Sequence, residues 1–286
     1  DNQIAQPRFG LSRDQKEEAK VLIELFGNNE VADLYSNDPS IQADGITNVC
    51  NSIKSITAPE QQLQAFRNLV VILKKLFSSS SDIVVESAVN NSTSTIEELQ
   101  EDEVFVKMDN FPHKMVDELI SVCKIQMAIS SPTISDSCIK FISWAARMDA
   151  TFLEDLIAFI FKHRSKNDNK ELIYQSKCAL LDAIIQDYEE EITSRISLKE
   201  LMDVIIPALE CNDNQKSLQL CKTCYDYYGS KMLTLLQNKP IELRNQVNQI
   251  LGLQEETEDN SKHHHDKHHE HNSHGKRKKR RMSSDE

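Results

Sequence analysis

Between Ile196 and Leu251 the chain repeats one design twice and then closes it. Leu198–Glu210 (LKELMDVIIPALE) and Lys216–Tyr228 (KSLQLCKTCYDYY) carry apolar residues three and four apart, the period of a helix with one buried face. Asn212-Asp213-Asn214 separates the two segments and Gly229 ends the second. After Ser230–Gln237 and Pro240 comes a last segment, Ile241–Leu251. A helical pair joined by so short a turn cannot bury its apolar face alone and needs a neighbour of the same kind. This stretch therefore predicts that the rest of the chain is a stack of such pairs.

The preceding residues fit that expectation. Arg13–Phe26 presents Ala19, Leu22, Ile23 and Phe26 on one face, and Gly27-Asn28-Asn29 breaks it. Val31, Leu34 and Tyr35 form a short helical turn, Ser36–Ser40 is a turn, and Ile41–Ile56 is the partner helix with Ile46, Val49, Cys50 and Ile53 inward. Ala58–Phe77 is the strongest stripe, built on Leu63, Phe66, Leu69, Val70, Leu73 and Leu76. Ser78–Ser81 turns the chain, with Asp82 expected as the N-cap. Ile83–Leu99 should be weaker, because Asn90–Thr95 has poor helix propensity, and Glu97–Glu103 reads as an acidic connector. Phe111–Ile129 with Ser135–Met148, broken at Ser130-Ser131-Pro132, forms a third pair. Phe152–Lys162 with Leu172–Tyr188, across Ser165–Asn169, forms a fourth. The expected fold is all-α, with about five helical pairs and a C-terminal capping helix, each pair spanning ~40–50 residues, the period of a HEAT repeat.

Only 6 Gly and 7 Pro punctuate 286 residues, which agrees with long helices. No apolar run approaches the ~18 residues of a membrane span. The first residue is Asp1 rather than Met, as expected of a processed or excised start. The domain organisation expected is a disordered lead-in over 1–12, one repeat domain over 13–252, and a disordered tail over 253–286. The net charge of −12 belongs to the folded part, since eight Lys/Arg balance eight Asp/Glu after Gln254. An acidic body argues against nucleic acid and against anionic membrane as partners. Seven scattered cysteines favour reduced, packed thiols in a cytosolic setting.

Few motifs suggest chemistry. Cys221-Lys222-Thr223-Cys224 is a CxxC, but it sits mid-helix, has no second ligand pair nearby and follows no strand, so two core cysteines are the simpler reading. The tail holds a histidine tract (His263, His264, His265, His268, His269, His271, His274). It could bind transition metals without fixed geometry, against the plainer reading of a solvated low-complexity segment. Lys276, Arg277, Lys278, Lys279, Arg280 and Arg281 form a cationic run suited to nuclear import, nucleic acid or an acidic polymer surface, or simply to solubility. Trp144, the single tryptophan, lies one turn from Arg147; a core position is favoured over a binding surface, given Phe141 and Ile142 beside it. There is no phosphate loop, HExxH or G-x-S-x-G. No catalytic residue, cofactor, metal site or small-molecule substrate is assigned, and an enzyme is not expected.

Leu25-Phe26-Gly27 followed by Val31-Ala32-Asp33-Leu34-Tyr35-Ser36 resembles the opening repeat of TOG domains, the HEAT arrays that bind tubulin. Val204–Glu210 (VIIPALE), the turn after it, Lys216–Tyr228, the Gly-Ser-Lys-Met-Leu-Thr-Leu-Leu stretch from Gly229 and Pro240 resemble the last repeats of that family. The likeness is nearest to its centrosomal, ciliary-tip branch and covers roughly residues 13–251. It implies a TOG-like array whose intra-repeat turns form a partner-binding edge: Tyr35–Ser40, Ser78–Asp82, Ser130–Thr133, Ser165–Lys170 and Cys211–Lys216. The candidate contact residues on those turns are Asp38, Pro39, Ser80, Ser131, Lys162, Arg164, Lys166, Lys170 and Lys216. Tubulin is acidic and TOG edges that bind it are usually basic, with a tryptophan in the first turn; here Asp38-Pro39 stands in its place.

The resemblance thus implies a tubulin, microtubule-lattice or microtubule-bound-protein partner, in cytoplasm, cytoskeleton or cilium (basal body, axoneme or tip). The alternative is a HEAT scaffold for another protein without direct tubulin contact. A nuclear adaptor directed by Lys276–Arg281 is a third reading.

Overall fold

The computed structural model describes residues 10–102, 104 and 111–257, and every regular element among them is helical. The expected lead-in up to residue 9 and the histidine and basic tracts of the tail lie outside these residues. In order come α1 (Arg13–Glu18), α2 (Lys20–Phe26), α3 (Asn28–Ala32), a 3-10 turn (Asp33–Tyr35), α4 (Pro39–Lys54), α5 (Pro59–Phe77), α6 (Asp82–Glu101) and α7 (Phe111–Ile129). There follow α8 (Pro132–Met148), α9 (Thr151–Lys162), α10 (Lys170–Thr193), α11 (Leu198–Leu209), α12 (Gln215–Tyr228), α13 (Lys231–Thr234) and α14 (Ile241–Leu251). The fold is an all-α, TOG-like HEAT array of five helical pairs and a capping helix.

The described residues fall into two compact units, divided within α12 between Thr223 and Cys224. In the first unit, α2, α5 and α7 stack in one layer and α4, α6, α8 and α10 in the other, with α9 against α11. The buried stripes meet between these layers. Phe66, Phe77, Phe141, Leu69 and Leu73 are fully enclosed. Phe77 and Phe141 pack edge to face, 5.1 Å between centroids and 89° between planes, an arrangement that suits the quadrupoles of both rings. In the second unit α14 ends at Gly252, where φ is 71°. Glu256 is held back on α14 by two hydrogen bonds with Asn245 (2.7 and 3.1 Å) and an ion pair to Arg244 at 2.9 Å.

Local signals explain most of the boundaries. Gly27 (φ 85°) ends α2 and Gly229 (φ 59°) ends α12, both in conformations that suit glycine best. Pro39, Pro59 and Pro132 open their helices, where a missing N–H costs nothing. Ser12 and Ser197 start α1 and α11 with reciprocal capping boxes to Gln15 and Glu200.

Two local expectations need correction. Ser81, not Asp82, is the N-cap residue of α6, and the Asp82 carboxylate instead accepts a bond from Ser131 Oγ at 2.9 Å. α6 runs unbroken through Asn90–Thr95 and on to Glu101. The polar residues there are used: Ser92 and Thr95 donate to Ala88 O and Asn91 O, and Asn91 bridges to Thr47 of α4. Tertiary packing thus overrides weak propensity. α10 is interrupted at Glu189, whose φ is 40°, directly after Tyr188, where the sequence pattern ends the helix.

Four buried or half-buried amides fasten neighbouring pairs through the backbone. Asn68 on α5 accepts from Leu22 N (3.2 Å) and donates to Glu18 O (2.6 Å), bridging the break between α1 and α2. Gln62 reaches Ile53 O at 3.2 Å. Gln126 on α7 donates to Phe77 O (2.7 Å) and Ser79 O (3.0 Å). Gln175 on α10 donates to Ala208 O (2.7 Å) and accepts from Ser217 N (3.2 Å). Each satisfies backbone groups left over where a helix ends.

Candidate partner-binding edge

These contacts place the turns between paired helices next to one another within the first unit. Ser87 Oγ donates to Ala43 O at 3.0 Å, setting the start of α6 beside that of α4. The Ser131–Asp82 bond joins the second and third turns. Asn169 N donates to Ala128 O at 2.8 Å, joining the fourth turn to the third. Asn212 Nδ2 donates to Glu171 Oε1 at 3.3 Å, joining the fifth to the fourth. The five turns therefore form one continuous edge.

The side chains on that edge divide into three groups. At the first turn, Asp38 Oδ1 caps α4 through Ser40 N (2.9 Å) and Ile41 N (3.3 Å), and Pro39 is the first helical residue. A cavity of about 530 Å³ beside them is lined by Asp33, Tyr35, Asp38 and Ile41. It carries acidic rather than basic character. Burial, together with the Glu18 carboxylate that accepts from Tyr35 Oη at 2.8 Å, holds the Tyr35 hydroxyl well above its usual pKa. At the second and third turns Ser80 is exposed, whereas the Ser131 hydroxyl caps α8 through Ile134 N (3.2 Å) and bonds Asp82.

The cations gather at the fourth turn. Lys162, Arg164, Lys166 and Lys170 are all exposed. Arg164 Nη1 donates to His163 O at 2.6 Å. At the fifth turn Lys216 is half-buried and paired with Asp136 on α8. Around that pair lies a cleft of about 360 Å³, whose lining includes Asp136, Glu171, Asp213 and Gln175. Lys276, Arg277, Lys278, Lys279, Arg280 and Arg281 lie outside the described residues.

One buried cation on the edge was not singled out from the sequence. Lys177 is only 5% exposed, yet it lines a cavity of about 400 Å³ together with Arg164, Lys166, Asp168 and Lys170. Its ammonium donates to His163 O at 2.9 Å. Burial first, then the Arg164 charge, pushes its pKa down to about 8. A signal was present: Lys177 stands on the apolar stripe of Ile173, Leu180, Leu181 and Ile184.

The remaining candidates resolve simply. Cys221 and Cys224 are both buried, as are Cys50, Cys123, Cys138 and Cys178. Burial pushes the Cys221 thiol up to about 12, far from a reactive thiolate. Trp144 is half-buried; its ring meets Phe141 at 5.5 Å and its Nε1 donates to Glu97 at 2.7 Å. Among the described residues no helix is long and apolar enough to cross a membrane.

No protein-family model matches the chain, and no curated protein matches it in sequence. Solved structures do. The TOG domain of human Cep104 is similar over 86% of this chain and 97% of that one, with a TM-score of 0.54 at 15% identity. A second structure of the Cep104 TOG domain gives 0.54 at 16% identity over 85% of this chain and 98% of that one. TOG domains are binding modules rather than enzymes. The chain has the fold of a TOG domain, and at 15–16% identity the likeness is one of fold.

Proposed function

We propose that this chain is a tubulin- or microtubule-associated binding module of cytoskeletal or ciliary setting. It engages tubulin, the lattice or a lattice-bound protein through the edge formed by its intra-repeat turns. The observation that carries this reading is the concentration of exposed Lys162, Arg164, Lys166 and Lys170 on one turn of a TOG-fold edge. Neighbouring surface cations attract an acidic partner and speed its encounter. The tail cations Lys276–Arg281 would add sequence-independent attraction.

A second reading, a HEAT scaffold for another protein without direct tubulin contact, is favoured by one specific observation. The edge lacks basic character at both ends: the first turn presents Asp38-Pro39 where the resemblance leads one to expect a tryptophan, and the fifth turn's Lys216 is neutralised by Asp136. Cosedimentation of the full chain with microtubules separates the two readings. The variant to compare carries alanine at Lys276–Arg281, so that only the folded edge is tested.

A further inference from the structure

We propose that the cavity enclosed by the α9–α10 turn and the first turns of α10 is a binding site for a phosphate monoester. The inference does not rest on the tubulin reading; it rests on how the charges in this cavity are left.

Two cations share a single neutral acceptor. Lys177 Nζ (2.9 Å) and Arg164 Nη1 (2.6 Å) both donate to His163 O. The one carboxylate lining the cavity, Asp168, is shared: it lies 2.9 Å from Nε2 of His163, which lines the same cavity, and its charge also acts on Lys177. Lys166 and Lys170 line the same cavity and carry no ion pair to any described residue. Four cations thus face one occupied carboxylate. Burying an ammonium is costly unless it is well paired, and the Lys177 ammonium meets only the shared His163 O, the Phe159 ring at 5.9 Å and the charge of Asp168, which His163 also uses. A monoanionic carboxylate would leave excess positive charge, whereas a phosphate dianion offers more charge and three acceptor oxygens. The cavity, at about 400 Å³, is also larger than a bare phosphate and is walled on one side by Ile173 and Tyr174. It can therefore hold a phosphate together with the residue that bears it.

Proton linkage gives the site a signature. The groups around Lys177 are Arg164, Lys166, Asp168, His163, Lys170 and Cys178, together with the Phe159 ring at 5.9 Å, which Lys124 also meets at 5.4 Å. With its pKa down near 8, Lys177 is partly neutral in mildly alkaline solution. A bound dianion raises that pKa, so binding takes up protons near pH 8, and affinity falls as the pH rises further.

The test is calorimetry on the full chain, with inorganic phosphate and a short Gly/Ala peptide carrying one phosphoserine as probes. Matching peptides with serine or glutamate at that position are the controls. The expected result is saturable binding of phosphate and phosphopeptide, with both controls about tenfold weaker or more. Proton uptake should be seen at pH 8 in buffers of different ionisation enthalpy. K177M and the surface variant K166A/K170A should each weaken binding by about tenfold or more, the latter without disturbing any buried group. Tighter binding of the phosphopeptide identifies a modified protein segment as the source, and tighter binding of inorganic phosphate identifies the free ion. The proposal is overturned if the wild-type chain shows no saturable binding, if both variants bind as wild type does, or if the glutamate peptide binds as well as the phosphopeptide. Microtubule pelleting of the wild-type chain in phosphate-free buffer reports on the tubulin reading separately, and K177M, which leaves the exposed lysines in place, separates the two.

Discussion

Lys216, at the fifth turn, is ion-paired with Asp136 of α8, so the cation expected to face a partner is spent within the fold. Both side chains are partly exposed, 30% and 60%, and such a pair contributes only about 0–1 kcal/mol. Its consequence is electrostatic rather than stabilising: the positive character of the edge is confined to the α9–α10 turn. K216A should therefore leave microtubule pelleting within about twofold of wild type. A loss as large as that from altering Lys166 and Lys170 would show that the fifth turn contributes directly.

Gln126 and Gln175 each satisfy backbone groups at a helix end in the neighbouring pair. Replacing Gln126 by alanine removes the donor to the Phe77 and Ser79 carbonyls, and replacing Gln175 leaves Ala208 O and Ser217 N–H without it, at about 1–3 kcal/mol per group left unpaired. Q126A and Q175A should each lower the urea midpoint with an unchanged m-value. An unaltered midpoint would mean that water replaces the amide at no cost.

Gly45 lies in α4 against the 3-10 turn. A Cβ built there would sit 2.7 Å from Asp33 Cβ and 2.8 Å from Asp33 C. G45A should cost about 1–3 kcal/mol through overpacking, despite alanine's better helix propensity. A thermal scan checks it; a raised melting temperature would show that the turn moves away freely.

Burial of Lys177 makes a prediction of opposite sign. Its folded pKa is about 8, below the ordinary lysine value of about 10.4. Between those values the unfolded chain binds more protons than the folded one, so stability rises with pH across that window. K177M removes the penalty, and Arg164 still satisfies His163 O. The variant should be more stable than wild type at pH 7 by about 1–2 kcal/mol, allowing for solvent screening. That gain should shrink towards pH 10. Chemical denaturation at both pH values checks it; a gain independent of pH would place its origin in packing instead.

Asp149 behaves conventionally. Burial opposes its ionisation, but hydrogen bonds from His113 (2.9 Å) and Thr151 (2.7 Å to the side chain, 2.9 Å to the amide) prevail and hold its pKa below the usual value. A depressed carboxylate contributes stability above its unfolded pKa, and that contribution is lost as pH falls through the folded value. The stability gap between wild type and D149N should be open at pH 6 and close below about pH 4. A gap that persists in acid would contradict the assignment.

The helical array was legible because each apolar stripe repeats at 3–4 spacing and each stop is chemically marked. The helices ending at Phe26 and Tyr228 stop at Gly27 and Gly229, and the breaks expected around Pro39 and Pro132 are where those prolines open the next helices. What was not legible depends on neighbours distant in sequence. Asn90–Thr95 reads as weak helix until Thr47 and its own preceding turn supply partners. Lys216 reads as a free cation until Asp136, 80 residues away, is placed beside it. Asp82 reads as a cap until Ser131 is found against it. Lys177 left a trace in its stripe, but a lysine on an apolar face more often extends its stem and keeps its charge in water. Only the packed turn shows that this one does not.

The central claim, that the folded edge contacts the microtubule through the α9–α10 turn, is tested most directly by cosedimentation with taxol-stabilised microtubules across a salt series. The protein is the full chain with alanine at Lys276, Arg277, Lys278, Lys279, Arg280 and Arg281, compared with the same chain carrying K166E/K170E. The account predicts that the tail-neutral chain still pellets at low salt, and that the charge reversal lowers pelleting by about tenfold or more. If neutralising the tail alone abolishes pelleting, or if the charge reversal has no effect, the edge is not a microtubule site, and the array serves a different protein partner.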